Sequence, residues 1–338
     1  MKNLKNLSNT LLNKIEKSAS IGILGFGTEG ISSLKFIEKY FTNKTICIAD
    51  KNVQIREHKL LKNNKYKLFL GNEWINIFQN TTFIIVSPGV PLFGVEIPKE
   101  VMVSSQTDII LSCFGHKIIG ISGTKGKSTS SSLLQYLLKT VYDNVPLAGN
   151  IGIPPLDVFE QVAESQYAVF EISSHQLQHI KTSPHIALML NIYEEHLDYY
   201  PDYDTYAKTK LKIYEFQNKN DIAIVNNDIE SLNNFEVQYK GQKFTYSLNK
   251  QNSNAYIDDN QIFISKENIS QAIISTNGIS LKGTHNHSNC LAVALIANII
   301  GINSNIIKHV LSTFKSLPHR LEPITCKSGK FFYNDSIS

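Results

Sequence analysis

The stretch Gly120-Ile-Ser-Gly-Thr-Lys-Gly-Lys-Ser-Thr129 decides the fold. It ends the run "HKIIGIS", an unbroken apolar segment of the kind that forms a strand buried on both faces. It leads into "STSSSLLQYLLKTV", where Leu133, Leu134, Leu137, Leu138 and Val141 fall on one face of a helix. A strand, a glycine turn and a helix in that order form a phosphate cradle. Gly123 and Gly126 let backbone N–H groups point inward, and the helix N-terminus adds its positive end. Lys127 reaches terminal phosphates, and Ser128 or Thr129 can ligate Mg²⁺. The stretch departs from G-x-x-x-x-G-K-[ST] only at its first position, which Ile121 occupies.

Outward from this loop, short β-branched runs alternate with helical patterns. "IGILGF", "TICIAD" and "TTFIIVSPG" precede it, and "YAVFEIS", "PHIALMLNI" and "DIAIVNN" follow. Alternation of this kind gives an α/β chain with parallel sheets. A second glycine turn, Gly25-Phe26-Gly27-Thr28-Glu29-Gly30, follows the first strand, and Asp50 ends the next one. That spacing is a dinucleotide fingerprint, compatible with NAD, with another nucleotide or with plain packing. The turn Ser87-Pro88-Gly89-Val90 lies at the carboxyl end of the third strand, on the ligand-binding edge of the same sheet. Two glycine turns about a hundred residues apart imply two doubly wound units. The expected boundaries are 1–103, 104–316 and 317–338. Residues 240–283 lose the helical period and read as a β-rich addition to the second unit.

The chain has 338 residues, 42% hydrophobic and 18% charged, with net charge +4. Arg occurs only at positions 56 and 320, and the lysines are scattered, so no stripe for nucleic acid stands out. The longest apolar run, "LAVALIANIIGI", is too short to span a bilayer, and the N-terminal segment has no apolar h-region. The four Cys, at 47, 113, 290 and 326, have neither disulfide-framework nor zinc spacing. A cytoplasmic protein is expected.

Several residues at strand ends offer chemistry. Glu171 in "FEISSHQLQ" is a hard oxygen ligand near the cradle, or else an N-cap or solvated residue, since Ser173 and Ser174 can cap the next helix. "NIYEEHLDYYP" offers Glu194, Glu195, His196 and Asp198. Lys208, Lys210 and Lys212 in "YAKTKLKIYEFQ" read on composition as a solvated helix face. Asn286 and Asn289 open a buried helix, where they either cap it or contact a base or ribose. Arg320 in "LPHR" suits a phosphate or a surface ion pair.

In order, GTKGKST, GNIG (149–152), EISSHQL, HLDYYP, Lys210, HN..N, LPHR and YNDS resemble the Mur ligases over the whole chain. The wording "SS-x-QL" and "LPHRLE" is most similar to the member that joins D-glutamate to UDP-N-acetylmuramoyl-L-alanine. His175 departs from it, an aromatic being usual there, and "SSH" also resembles the sister ligase for the third, dibasic residue.

The resemblance implies an N-terminal Rossmann-like domain, a central P-loop ATPase domain and a C-terminal Rossmann-like domain of which residues 317–338 are only the start. It implies ATP and two Mg²⁺ ions as cofactors, and a monomer acting on small molecules. Gly123, Thr124, Lys125, Gly126, Lys127, Ser128 and Thr129 would hold ATP, with Asn286, Asn289, Arg320 and Asp335 around it. Ser128, Glu171, His196 and Lys210, the last as a carbamate, would serve the metals, and Lys127, His196 and Lys210 the catalysis. Gly25, Phe26, Gly27, Thr28, Asp50, Ser87, Pro88 and Gly89 would bind the uridine diphosphate, and Asn150, Ser173 and Gln176 the rest of that substrate. On this resemblance the expected chain is a piece of a longer ligase. Two rivals stay open: a truncated nucleotide or UDP-sugar binder without catalysis, and an oxidoreductase resting on Gly25 to Asp50.

Overall fold

The computed structural model describes residues 10–62, 65–230, 235, 237–249, 251–266, 269–320, 322–325 and 331–334. The first unit runs through α1 (Leu11–Lys17), β1 (Ser20–Leu24), α2 (Thr28–Tyr40), β2 (Thr45–Asp50), β3 (Lys67–Leu70), α3 (Ile77–Asn80), β4 (Phe83–Val86) and β5 (Met102–Ser104). Its five strands make a parallel sheet in the order β3-β2-β1-β4-β5. Ile21, Ile23, Phe83 and Ile85 are buried, as continuous apolar strands between two helical layers must be. The chain direction across the sheet switches beside β1, so the carboxyl ends of β1 and β4 border a crevice of the kind that takes ligands. Both the glycine turn and Ser87-Pro88-Gly89 stand there.

The second unit continues with α4 (Gln106–Phe114), β6 (Ile118–Ser122), α5 (Lys127–Leu138), β7 (Leu147–Gly149), α6 (Phe159–Glu164), β8 (Ala168–Glu171), α7 (Ser174–Leu177), β9 (Ile186–Met189), α8 (Tyr203–Glu215) and β10 (Ile222–Asn226). Then come β11 (Gln242–Ser247), β12 (Ala255–Asp258), β13 (Gln261–Lys266), β14 (Ile269–Ser275), α9 (Thr284–Ile299) and α10 (Ser304–Thr313). All nine strands share one sheet, ordered β14-β13-β12-β11-β10-β9-β6-β8-β7. Neighbours are parallel from β7 to β12, and β13 and β14 turn antiparallel. The β-rich addition expected at 240–283 extends the sheet of the second unit. The antiparallel pair β15 (Glu322–Thr325) and β16 (Phe331–Asn334) follows.

Helix α5 ends at Leu138, so Val141 misses the expected face and is 47% exposed, while Leu133, Leu134, Leu137 and Leu138 are buried against α9 and the sheet. Most of the apolar run at 291–302 lies in α9, buried from Leu291 to Ala297; no helix among the described residues is long and apolar enough to cross a membrane.

Hydrogen bonds fix the two sheets against each other. Gln106 of α4 donates from Nε2 to the Glu29 carbonyl (2.6 Å) and the Ser33 hydroxyl (2.9 Å), and its Oε1 accepts from the Leu156 N–H (3.1 Å). Ser32 donates to Asp157 Oδ1 at 2.6 Å. Buried amides and hydroxyls satisfied across an interface orient it more sharply than apolar packing does.

Candidate active site

Strand β6 lies inside its sheet, between β9 and β8, and delivers the loop 123–126 to the sheet's carboxyl edge. Gly126 caps α5 in the left-handed region at φ 85°, and a Cβ there would stand 2.6 Å from Asn289 Oδ1. That contact explains both the glycine and the place of Asn289, which packs α9 against the loop. Asn289 donates to Asn286 Oδ1 (3.2 Å), and Asn286 donates to the Lys282 carbonyl (2.7 Å). Neither side chain caps α9, whose N-cap is Gly283 with no side-chain bond.

The loop is pinned from β9. Asn191 Oδ1 accepts from the N–H groups of Thr124 (3.0 Å) and Lys125 (2.8 Å), and its Nδ2 donates to the Lys125 carbonyl (3.0 Å). The Thr124 hydroxyl lies 3.0 Å from the Tyr206 hydroxyl and accepts from the Tyr193 N–H at 3.0 Å. Two loop amides are thereby engaged, which leaves the unbonded N–H groups of the first turn of α5, at Lys127, Ser128 and Thr129, for a phosphate.

Lys127 folds back to donate to the carbonyls of Gly123 (3.0 Å) and Thr124 (2.8 Å). Burial lowers its amine from the usual lysine range, against the pull of Glu171 and Glu195. Lys210, read on composition as part of a solvated face, is 2% exposed and donates to the same Gly123 carbonyl at 2.7 Å. Its amine lies over the Tyr206 ring, 5.0 Å from the centroid. Burial, then the charge of Lys127, holds it well below the ordinary lysine value. The helix α8 buries Tyr206, Lys210, Ile213 and Tyr214 on one stripe, so helical spacing overrides composition here.

Glu171, at the end of β8, is 1% exposed and so neither solvated nor a cap; Ser173 caps α7 instead, in a capping box with Gln176. Its Oε1 accepts from Asn150 Nδ2 (2.8 Å), its carbonyl accepts from the Asn150 N–H (2.9 Å), and its Oε2 is buried without a hydrogen-bond partner. A buried carboxylate oxygen without a partner is a place for a donor or a cation. Gly149 makes this approach possible: at φ 99° a Cβ would fall on the Glu171 carbonyl.

His196 takes a left-handed backbone at φ 60°, and its Nε2 lies 3.6 Å from Glu195 Oε2. Glu195 also pairs with Lys125 at 2.9 Å. The ring of His175 stands 5.0 Å from His196 and 4.3 Å from Tyr199, between centroids, and burial pushes its pKa down to about 4. As a neutral ring among aromatics it fills the place of an aromatic residue. Among the described residues no three His, Cys, Asp or Glu side chains converge as a metal cluster. A Mg²⁺ here would thus depend on phosphate oxygens and water beside Glu171, Ser128 and His196, as Mg²⁺ sites on nucleotides commonly do.

Beside the loop a cavity of about 870 Å³ runs from Lys125 and Gly126 past Asn226 and Asp228 at the end of β10 to His285 and Asn289. Its size suits a nucleoside. Asn191, Asn226, Asp228 and Tyr206 were not singled out in the sequence; the first three follow strand runs at the ligand-binding edge, which was the available signal. Arg320 lies where its charge reaches Lys127. Asp335 lies outside the described residues.

In the first unit, Asp50 accepts from the Phe26 N–H (2.7 Å) and the Asn52 N–H (2.8 Å). The carboxylate that would take a ribose in a dinucleotide fold instead holds the glycine turn. Ser87 donates to the Gly25 carbonyl at 2.9 Å, joining the two turns, while Gly27, Thr28 and Gly89 border open space or solvent. Gln176 Nε2 donates to Glu29 Oε1 at 2.9 Å, so both ends of that amide serve the protein itself.

Residues 19–107 match the Mur ligase MurD-like N-terminal domain, and residues 121–297 the Mur ligase middle domain. A Listeria monocytogenes protein named UDP-N-acetylmuramoylalanine-D-glutamate ligase is 31% identical over 322 residues, covering 93% of this chain and 70% of that protein. A Thermoanaerobacter protein of the same name is 30% identical, covering 95% of this chain and 72% of its own. The crystal structure of MurF from Thermotoga maritima in complex with ADP superposes with a TM-score of 0.52 at 16% identity, over 97% of this chain and 71% of that one. Two matched domains, a glycine loop pinned by Asn191, and a buried glutamate and lysine beside it leave one conclusion: the chain belongs to the Mur ligase family.

Proposed function

We propose that this chain joins D-glutamate to UDP-N-acetylmuramoyl-L-alanine, converting ATP to ADP and phosphate. The relatives at about 30% identity that carry this name support the acceptor. The observation that carries the chemistry is Lys127 and Lys210 meeting at one loop carbonyl beside Glu171, whose Oε2 is buried without a partner.

In this reading the first turn of α5 and Lys127 bind the β- and γ-phosphates of ATP, Lys127 exchanging its loop carbonyls for phosphate oxygens. Asn150 orients the L-alanyl carboxylate. That carboxylate takes the γ-phosphoryl group, ADP leaves, and the acyl phosphate forms. The D-glutamate amine attacks the acyl carbon, gives up its proton, and phosphate departs from the tetrahedral intermediate. Lys127 neutralises charge in both steps. Ser128, Glu171, His196 and Lys210 would hold Mg²⁺, which supplies charge neutralisation at the transferring oxygens. The depressed amine of Lys210 favours the neutral form that can take up CO₂ as a carbamate, making an oxygen ligand from a cation. Asn226 and Asp228 would face the nucleoside, and Gly25 to Thr28 with Ser87 to Gly89 the uridine diphosphate. Because ATP is a substrate, we place the reaction in the cytoplasm.

Phosphate release is measured with ATP, Mg²⁺, UDP-N-acetylmuramoyl-L-alanine and, in turn, D-glutamate, L-lysine or meso-diaminopimelate. Release with D-glutamate alone is expected, and EDTA abolishes it. Release only with a dibasic acceptor reassigns the amino acid, and silence with all three refutes ligation by this chain.

A further inference from the structure

Tyr199 touches both halves of the proposed site. Its hydroxyl lies 2.8 Å from Gln178 Oε1, 3.3 Å from the Val90 carbonyl and 3.5 Å from the Pro88 carbonyl. Its N–H donates to the His196 carbonyl at 3.0 Å, and its ring stands edge-on to His175 and to Phe93 of the first unit. One residue thus joins the backbone of the Ser87–Val90 turn to the backbone at His196.

A tyrosine hydroxyl has one proton and two lone pairs. As the amide stands, the hydroxyl donates to Gln178 Oε1; with the amide turned over, its NH₂ donates to the tyrosine oxygen instead. The hydroxyl proton is then free for the Val90 and Pro88 carbonyls. A Cβ at Gly89 would meet nothing within 4 Å, so the turn held by those carbonyls borders open space.

We propose that Tyr199 is a positioning residue that fixes the Ser87–Val90 turn, and with it the nucleotide-sugar, against the phosphoryl-transfer centre. This rests on the functional reading above. It touches neither substrate and acts through the turn's main chain.

The test is Tyr199→Phe, which removes one oxygen and keeps the ring contacts with His175 and Phe93. Calorimetric titration of this chain with UDP-N-acetylmuramoyl-L-alanine, and separately with ATP and Mg²⁺, gives two dissociation constants. Loss of one neutral hydrogen bond should weaken the nucleotide-sugar about 3- to 10-fold and leave ATP unchanged. Gln178→Leu, which cannot orient the hydroxyl, should show the same selective weakening. Unchanged nucleotide-sugar binding in both variants overturns the proposal, and so does an equal loss for ATP, which marks a general structural role. A wild-type chain that does not bind the nucleotide-sugar refutes the functional reading, and this inference with it.

Discussion

The Lys210 amine and the Lys127 amine converge on the carbonyl oxygen of Gly123, at 2.7 and 3.0 Å. Two lysines on one acceptor, beside a buried carboxylate, keep like charges together that separate unless a phosphate or a changed protonation state compensates. Removing one should therefore relieve the fold while damaging the chemistry.

Lys210→Met tests this. Folding holds the Lys210 pKa below its unfolded value, so between the two values the unfolded chain binds more protons, and stability rises with pH across that window. Methionine removes the penalty. The variant should melt higher than the wild type at pH 7, and the difference should shrink as pH rises towards 10. The Gly123 carbonyl keeps Lys127 as a donor, so no acceptor is orphaned. Ligase turnover should fall by about 100-fold or more, as for loss of a group acting on transition-state charge.

Gly149 and Gly152 have nearly the same backbone, φ 99° and 101°, yet only Gly149 lies against the Glu171 carbonyl; Gly152 faces open space. Alanine at 152 should cost about 1 kcal/mol, the left-handed penalty alone. Alanine at 149 should cost about 3 kcal/mol or more, because backbone must also move. Urea denaturation of the two variants gives the comparison, and equal costs would show that β7 and β8 yield easily there.

Asn191→Ala removes the side-chain acceptor of the Thr124 and Lys125 N–H groups and loosens the loop, while the Thr124 N–H keeps the Asn191 carbonyl at 3.0 Å. A loss of about 1 kcal/mol in stability is expected from the lost side-chain hydrogen bonds. ATP affinity, read by titration, should fall by more than tenfold, whereas nucleotide-sugar affinity stays near the wild-type value.

The two sheets were legible because their central strands are continuous apolar runs followed by glycine turns, a pattern that physics leaves few ways to satisfy. Strands β3, β5 and β7, of three or four residues, carry too few side chains to show a period. Lys210 was legible only through its spacing from Tyr206 and Tyr214, four residues either way, and composition pointed the other way. The role of Asp50 was hidden because a carboxylate that binds ribose and one that binds its own glycine turn look the same in sequence. The contact of Gln176 with Glu29 spans 147 residues, and no local pattern encodes it.

Glu29 is the clearest pH-sensitive group at the junction of the two units. It sits in the first turn of α2, where the helix dipole favours ionisation, yet burial raises its pKa from 4.5 to about 7, against the hydrogen bond from Gln176. Its Oε2 is buried without a partner. The folded chain holds the proton more tightly than the unfolded one, so this contribution is fully present below about pH 4.5 and is lost as pH rises through about 7. Glu29→Gln keeps an acceptor for Gln176 and removes the charge. The variant should match the wild type near pH 4 and exceed it in stability at pH 8, by at most on the order of 3 kcal/mol, less whatever its unpartnered amide hydrogens cost. Chemical denaturation at the two pH values measures it. A constant difference across the range would mean that Glu29 is ionised throughout and that its buried oxygen meets water or a cation.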